Sequence, residues 1–172
     1  MTARIAIVYG STSGNTQEAA ERMAELMDDV KPEALDVAST TVEQMLDYDV
    51  LLIGAPTWDV GELQYDWDDR FPDLDGNDFT GKKVAFFGAG DPVGYPDNFL
   101  DALSILWEKF KELGAELVGK WPTEGYPFET SLALLDGGTH FVGLGIDNDN
   151  ASDLTEDRIQ GWITQLRTEL SL

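Results

Sequence analysis

The chain alternates two kinds of segment with incompatible hydrophobic periods, and this alternation limits its architecture more than any other feature. Ala3–Tyr9, Val50–Ala55 and Lys83–Ala89 contain apolar runs without polar residues at alternate positions. Strands of that kind are buried on both faces, as in a parallel sheet covered by helices above and below. Between them lie segments of helical period. Thr16–Asp28 carries Ala20, Met23, Ala24 and Met27 on one face, and Asn98–Leu113 carries Phe99, Leu103, Leu106, Phe110 and Leu113. Glu156–Leu170 carries Ile159, Trp162, Ile163 and Leu166. Asn15, with Glu18 three residues on, and Thr155, ahead of Glu156 and Asp157, read as helix N-caps. A short strand is expected near Glu33–Val37 and a short helix near Val42–Leu46. A last strand is expected in two pieces, Ala115–Val118 and Phe141–Ile146, around a Gly- and Pro-punctuated stretch, Lys120–Thr139. Thr57–Thr80 reads as a long polar and aromatic stretch. Five such strand units make a doubly wound α/β fold, in one domain spanning residues 1–172.

Composition narrows the chemistry. With no cysteine, disulfides, thiol catalysis, zinc–thiolate sites and cysteine-ligated iron–sulfur clusters are excluded together. The single histidine, His140, cannot build a His-rich metal site, so any redox chemistry needs an organic cofactor. No apolar run approaches the ~20 residues of a membrane span, and Ile5–Val8 is too short for a signal-peptide core. A cytoplasmic location without membrane insertion is the expectation. The chain has 33 Asp and Glu against 11 Lys and Arg, for a net charge of −22. That balance disfavours nucleic acid and favours a basic protein partner. Acidity that only keeps the protein soluble, or that reflects a salty cytoplasm, accounts for it equally well.

In a doubly wound sheet, ligands sit beyond the carboxyl ends of the strands, at the switch in strand order. Three loops occupy that edge. The first, Tyr9-Gly10-Ser11-Thr12-Ser13-Gly14-Asn15-Thr16, joins a buried strand to a helix N-terminus and adds four hydroxyls, but no Lys or Arg. It lacks both the lysine of a nucleoside-triphosphatase loop and the spacing of a dinucleotide loop. What remains is a nest of neutral donors for a terminal phosphate monoester. The second, Pro56-Thr57-Trp58-Asp59-Val60-Gly61-Glu62-Leu63, presents a tryptophan directly after a strand, where a flat ring system would cover it. The third runs from Gly88 through Ala89, Gly90, Asp91 and Tyr95 to Asn98 and Phe99, and brings a second aromatic to the same edge. Together the loops describe a site for a planar ring joined to a phosphate.

These loops resemble those of flavodoxins. Tyr9–Thr16 is similar to the family signature T-x-T-G-x-T, with Ser11 and Ser13 replacing the two leading threonines, and the later loops resemble the family's two flavin-binding loops. The resemblance extends through Asp147, Asn148, Asp149 and Asn150 to the last helix, and Lys120–Thr139 resembles the insertion that splits the fifth strand of long-chain members. It implies strand order 2-1-3-4-5, a monomer and one non-covalent FMN. Ser11, Thr12, Ser13, Gly14, Asn15 and Thr16 would hold the phosphate. Thr57 and Asn98 would lie near the phosphate and ribityl chain, and Asp147 would face the ribityl hydroxyls. Trp58 would cover the inner face of the ring and Tyr95 the outer, within loops that include Pro56, Gly61 and Phe99. Amides around Ala89, Gly90 and Asp91 would meet the pyrimidine edge, and the Asp59-Val60 peptide would meet flavin N5.

The implied role is a low-potential carrier shuttling between semiquinone and hydroquinone, and not an enzyme. Its implied partners are basic redox proteins such as ferredoxin–NADP reductase, photosystem I, nitrogenase or other ferredoxin-dependent enzymes. Asp59, Glu62, Asp66, Asp68, Asp69, Asp91, Asp97 and Asp101 would form an acidic rim to attract them. A flavodoxin-like FMN quinone reductase is the alternative, but it needs room above the ring that Tyr95 would fill. A receiver domain is excluded, because Pro56 and Thr57 stand where its phosphoacceptor aspartate belongs.

Overall fold

The computed structural model describes residues 3–58 and 60–172; Asp59 lies outside the described residues, as does residue 1–2. The chain runs through β1 (Ile5–Tyr9), α1 (Asn15–Leu26), β2 (Glu33–Asp36), α2 (Val42–Met45) and β3 (Val50–Gly54). A hairpin, β4 (Thr57–Trp58) and β5 (Glu62–Leu63), leads to α3 (Tyr65–Arg70), then β6 (Lys83–Ala89) and α4 (Asp101–Glu112). After β7 (Glu116–Leu117) come β8 (Trp121–Pro122), β9 (Leu134–Leu135), β10 (His140–Phe141), β11 (Gly143–Ile146) and α5 (Thr155–Leu170).

The central sheet is parallel, in the order β11-β6-β3-β1-β2. The expected 2-1-3-4-5 order is present once β7 and β11 are taken as one split strand. β7 pairs with the start of β6, Lys83 opposite Glu116, and β11 with its end, Gly143 opposite Phe86. Side chains alternate between two apolar layers, as the pleat requires. Ile5, Ile7, Val50, Leu52, Ala85 and Phe87 pack with Ala20 and Met23 of α1 and Trp162 and Ile163 of α5. Ala6, Val8, Leu51, Ile53, Val84 and Phe86 pack on the opposite side with Trp67, Leu103, Leu106 and Phe110.

Several local expectations give way to backbone geometry. At α1 the cap position falls on Gly14, in a left-handed conformation (φ 94°), and Asn15 is already helical. Helix α4 begins at Asp101 and not Asn98, because Leu100 holds φ 62°. Thr155 lies inside α5 and makes no capping bond; its hydroxyl donates to Asn148 Oδ1 at 2.5 Å. Thr57–Thr80 is not a plain loop but carries the β4–β5 hairpin and α3. Gln64 caps α3, its side-chain oxygen accepting from the Asp66 and Trp67 N–H groups, and glutamine is not a usual capping residue.

Lys120–Thr139 also has more order than its weak periodicity implies. β8, β10 and β9 form a small antiparallel sheet, in which Phe141 pairs with Trp121 and Leu134. The expected Phe141–Ile146 strand is therefore cut at Val142. Tyr126 anchors this insertion to the main sheet, since its hydroxyl donates to Gly145 O at 2.7 Å and accepts from Trp121 Nε1 at 3.1 Å. Its ring lies against Phe99 and Phe141, with the Arg158 guanidinium 4.0 Å from the ring centre. Burial pushes the Tyr126 phenol up to about 12 from 10.0.

Tyr126→Phe strands the buried Gly145 carbonyl and the partly buried Trp121 indole N–H, and should cost about 1–3 kcal/mol in urea-induced unfolding. A raised folded-state pKa favours the neutral phenol, so its contribution is complete below pH 10 and is lost as pH rises towards about 12. The Phe variant should lose less stability than the parent across that window. Parallel alkaline stability curves would show that this phenol does not anchor the insertion.

Candidate functional site

The site is built where β1 and β3 end side by side, the point at which strand order reverses. Gly54 O, at the end of β3, accepts from Gly10 N at 2.9 Å and from Trp67 Nε1 at 2.8 Å. The first loop thus leaves the sheet pinned to its neighbour. Ser11 Oγ accepts from Gly14 N at 3.1 Å and closes the turn into α1, where Glu18 N→Gly14 O (2.9 Å) starts the helical ladder. The leading N–H groups of α1 have no intrahelical partner and point out of the helix start. Beside them Thr16 is 1% exposed, yet its hydroxyl has no hydrogen-bond partner among the described residues. A buried hydroxyl without a partner at a helix N-terminus fits an oxyanion ligand. No cation stands in residues 10–17, and Arg22, farther along α1, is paired with Glu25 and Glu156.

The second loop is the turn of the β4–β5 hairpin, closed by Gly61 N→Trp58 O at 3.0 Å. Trp58 is half-buried and Val60 is 70% exposed. The expected contact of the Asp59-Val60 peptide falls partly on Asp59, which is not described. Thr57 Oγ1 accepts from Ala102 N at 3.2 Å, tying the hairpin to the start of α4.

The third loop is held from several sides. Asp91 Oδ1 accepts from Gly94 N at 2.8 Å, Val93 N at 3.0 Å and Asn150 Nδ2 at 2.8 Å. These contacts, the Gly94 N–H foremost, hold its carboxyl below the usual carboxylate range. The Asn150 amide also donates to Asp147 Oδ1 at 3.0 Å, and Asp147 is buried. Tyr95 is 52% exposed, and a small pocket lined by Thr57, Gly90, Asp91, Tyr95, Asn98, Phe99 and Leu100 joins the second and third loops.

Three expected contributions are altered. Gly90 N donates to Ile146 O at 2.9 Å, so that amide is engaged in the sheet and is not free for a ligand. Phe99 is buried among Tyr126, Phe128 and Phe141 and lines the pocket from within the aromatic cluster, not as an exposed ring. Asp101 does not belong to an exposed rim: it is buried, and its carboxylate accepts from Leu132 N at 2.8 Å and Asn98 Nδ2 at 3.3 Å. Asn15 also lines a separate cleft between α1 and α5, with Asn148 and Thr155. Sequence reasoning missed Gln64, whose amide donates to Thr12 Oγ1 at 3.2 Å across 52 positions of chain. Its only sequence signal is a polar residue between Leu63 and Tyr65, close to a buried tryptophan.

Comparison with known proteins places this geometry. The family model described as Flavodoxin matches residues 7–162. A flavodoxin of Nostoc sp. is 46% identical over 172 residues, covering 100% of both chains. Flavodoxin 1 of Escherichia coli is 44% identical over 166 residues, covering 96% of this chain and 94% of that one. Among solved structures, the flavodoxin of Fusobacterium nucleatum bound to flavin mononucleotide superposes with a TM-score of 0.90 at 27% identity, covering 97% of this chain and 98% of that one.

Thr16→Val separates the two faces of the orphaned hydroxyl. In the ligand-free protein it should leave stability unchanged or raise it by about 1 kcal/mol, because no hydrogen bond is lost and a buried polar atom is removed. The same variant should lose most of the thermal stabilisation that inorganic phosphate confers on the parent. A destabilised ligand-free variant would mean that the hydroxyl has a structural partner.

Proposed function

The chain belongs to the flavodoxin family, and we propose that it is a low-potential one-electron carrier holding one non-covalent FMN over a unit spanning the whole chain. The observation that carries this reading is the cation-free nest at the start of α1, with the Thr16 hydroxyl buried and unpartnered inside it. Such a nest accommodates a phosphate dianion on neutral donors. Ser11, Thr12, Ser13, Gly14, Asn15 and Thr16 would hold that phosphate, with Thr57, Asn98 and Asp147 towards the polar chain. Trp58 and Tyr95 would flank the ring, between Pro56, Val60 and Gly61 on one side and Ala89 and Asp91 on the other. When bound, FMN supplies reversible one-electron chemistry.

The protein sets the potential. Asp91 is held ionised by its N–H donors, and Asp147 lies beside it. Fixed negative charge there opposes electron uptake and lowers the potential. Aromatic stacking by Tyr95 favours the electron-poor ring and acts in the same direction. Tyr95 also occupies the face that a nicotinamide or quinone would need, which favours an electron-transfer protein over a flavodoxin-like quinone reductase.

The docking surface combines apolar and acidic parts. Val60, Val93 and Tyr95 are exposed at the centre, and Glu62, Asp68, Asp69 and Asp97 are exposed nearby. This arrangement suits a basic redox protein such as ferredoxin–NADP reductase, photosystem I or another ferredoxin-dependent enzyme. Among the described residues no helix is long and apolar enough to cross a membrane. We place the carrier, as a monomer, in the cytoplasm.

The purified protein should be yellow, contain one FMN and bind FMN more tightly than riboflavin. In a reductive titration Tyr95→Ala should raise the more negative one-electron potential by about 20–60 mV, the equivalent of an aromatic pair worth about 0.5–1.5 kcal/mol. Equal affinity for the two flavins would overturn the cofactor reading, and an unchanged potential would remove Tyr95 from the ring. Stopped-flow electron transfer to a basic reductase should slow by one or more decades between 0.1 M and 1 M salt, as the Debye length falls from about 10 Å to about 3 Å. A salt-independent rate would leave the acidity without a role in docking.

A further inference from the structure

We propose that Gln64 is a positioning residue of the phosphate nest, setting the direction of the Thr12 hydroxyl proton so that this hydroxyl donates to the bound phosphate monoester. The proposal rests on the FMN reading above and adds to it a residue outside the three ligand loops. Gln64 is 1% exposed. Its Oε1 faces two backbone N–H groups, Asp66 N at 3.1 Å and Trp67 N at 3.3 Å. Both can only donate, which fixes the orientation of the amide. Nε2 therefore faces Thr12 Oγ1 at 3.2 Å and Asp66 Oδ2 at 2.9 Å, and each is an acceptor for one of its two protons.

The consequence falls on Thr12. An amide nitrogen has no lone pair to offer, so the Thr12 hydroxyl accepts from Gln64 and cannot donate to it. Its own proton must point elsewhere, and Thr12 is exposed on the loop whose N–H groups surround the nest. A hydroxyl that accepts from Gln64 keeps its own proton for a ligand, and a donor is what a phosphate dianion requires. The contact is built closely. A Cβ at Gly10 would stand 2.3 Å from Gln64 Oε1 and 2.6 Å from Trp67 Cδ1, so the loop passes directly over this amide. Trp67, in the same helix, shares the Gly54 carbonyl with Gly10 N. The placement of Gln64 is thereby locked to the strand end that launches the loop.

The test uses FMN and riboflavin titrations of the flavin-stripped protein, since the two ligands differ only in the phosphate. Gln64→Glu, made in an Asp66→Asn background so that the new oxygen meets an amide donor and not a carboxylate at 2.9 Å, keeps the oxygen that caps α3 but offers Thr12 an acceptor, so the hydroxyl proton turns inwards. FMN affinity should fall about 10–100-fold and riboflavin affinity less than about threefold. Gln64→Met removes the donor without adding charge and should weaken FMN alone, by about 3–10-fold. Repulsion between the new carboxylate and the phosphate is separated by repeating Gln64→Glu in a Thr12→Val background, where its effect on FMN should shrink at least about threefold. Thermal unfolding of each flavin-free variant verifies folding, and if Gln64→Glu does not fold, Gln64→Met decides the question. Equal losses for both flavins, or effects of Gln64→Glu and Thr12→Val that simply add, would overturn the positioning role. If the parent itself does not prefer FMN, the functional reading falls and this inference falls with it.

Discussion

The ligand-facing edge depends on one backbone carbonyl. Gly54 O, at the end of β3, takes the Gly10 amide from β1's loop and the Trp67 indole from α3. The sheet interior has no room for polar side chains, because both faces of β1, β3 and β6 are covered by apolar layers. Polar chemistry is therefore displaced to the strand ends, and the pair of strands where the order reverses leaves a gap between diverging loops. The shared carbonyl fixes the width of that gap. A side chain on Gly54 would strike the Phe87 ring at 2.4 Å, so the close approach of β3 and β6 is also set at this residue.

Charge is distributed with the same economy. Arg22, Arg70, Lys109, Lys120 and Arg167 each have a carboxylate partner, and the residues of the phosphate nest include no cation. To bind a phosphate there without a cation, a chain of net charge −22 would rely on oriented dipoles: the start of α1, the loop N–H groups and the hydroxyls. This choice suits the electron-carrier role proposed above. A lysine in the nest would neutralise the phosphate and raise the electron affinity of whatever ring lay beyond it. Neutral donors bind the anion and leave the surrounding negative field intact.

Much of the fold was legible because its signals are local. Unbroken apolar strands such as Val50–Gly54 and a helix face such as Ile159, Trp162, Ile163 and Leu166 follow from period alone, and all these residues are buried. The hydroxyl-rich, lysine-free turn into α1 was legible as a candidate anion nest, and the structure adds to it the buried, unpartnered Thr16 hydroxyl. Features decided by tertiary contacts were not. Gln64 caps α3 and reaches Thr12 only because the hairpin returns to β1, and nothing in its sequence neighbourhood marks that. Asp101 looks like another surface acid until the insertion supplies Leu132 N to its carboxylate. Asn15 and Thr155 have good capping chemistry, but the left-handed Gly14 and the bond to Asn148 decide those helix starts.

The insertion explains how a loop with little regular structure can present an aromatic ring. Residues 90–100 have almost no ladder of their own, and Leu100 sits at φ 62°, a conformation that costs a branched side chain roughly 1–2 kcal/mol. The insertion supplies the missing partners. Glu129 N and Thr130 N both donate to Pro96 O, Thr130 Oγ1 donates to Asp97 O at 2.8 Å, and Ser131 Oγ donates to Phe99 O. Phe128 stacks on Phe99 with ring centres 5.9 Å apart, and Tyr126 ties that cluster to β11. The two halves of the site therefore draw on different sources of rigidity. The Ser11–Thr16 half is fastened to the central sheet through Gly54, whereas the Tyr95 half is fastened to the inserted sheet. Splitting the fifth strand sacrifices continuous pairing along β6 but places a second scaffold beside the loop that carries Tyr95, where the doubly wound fold has none.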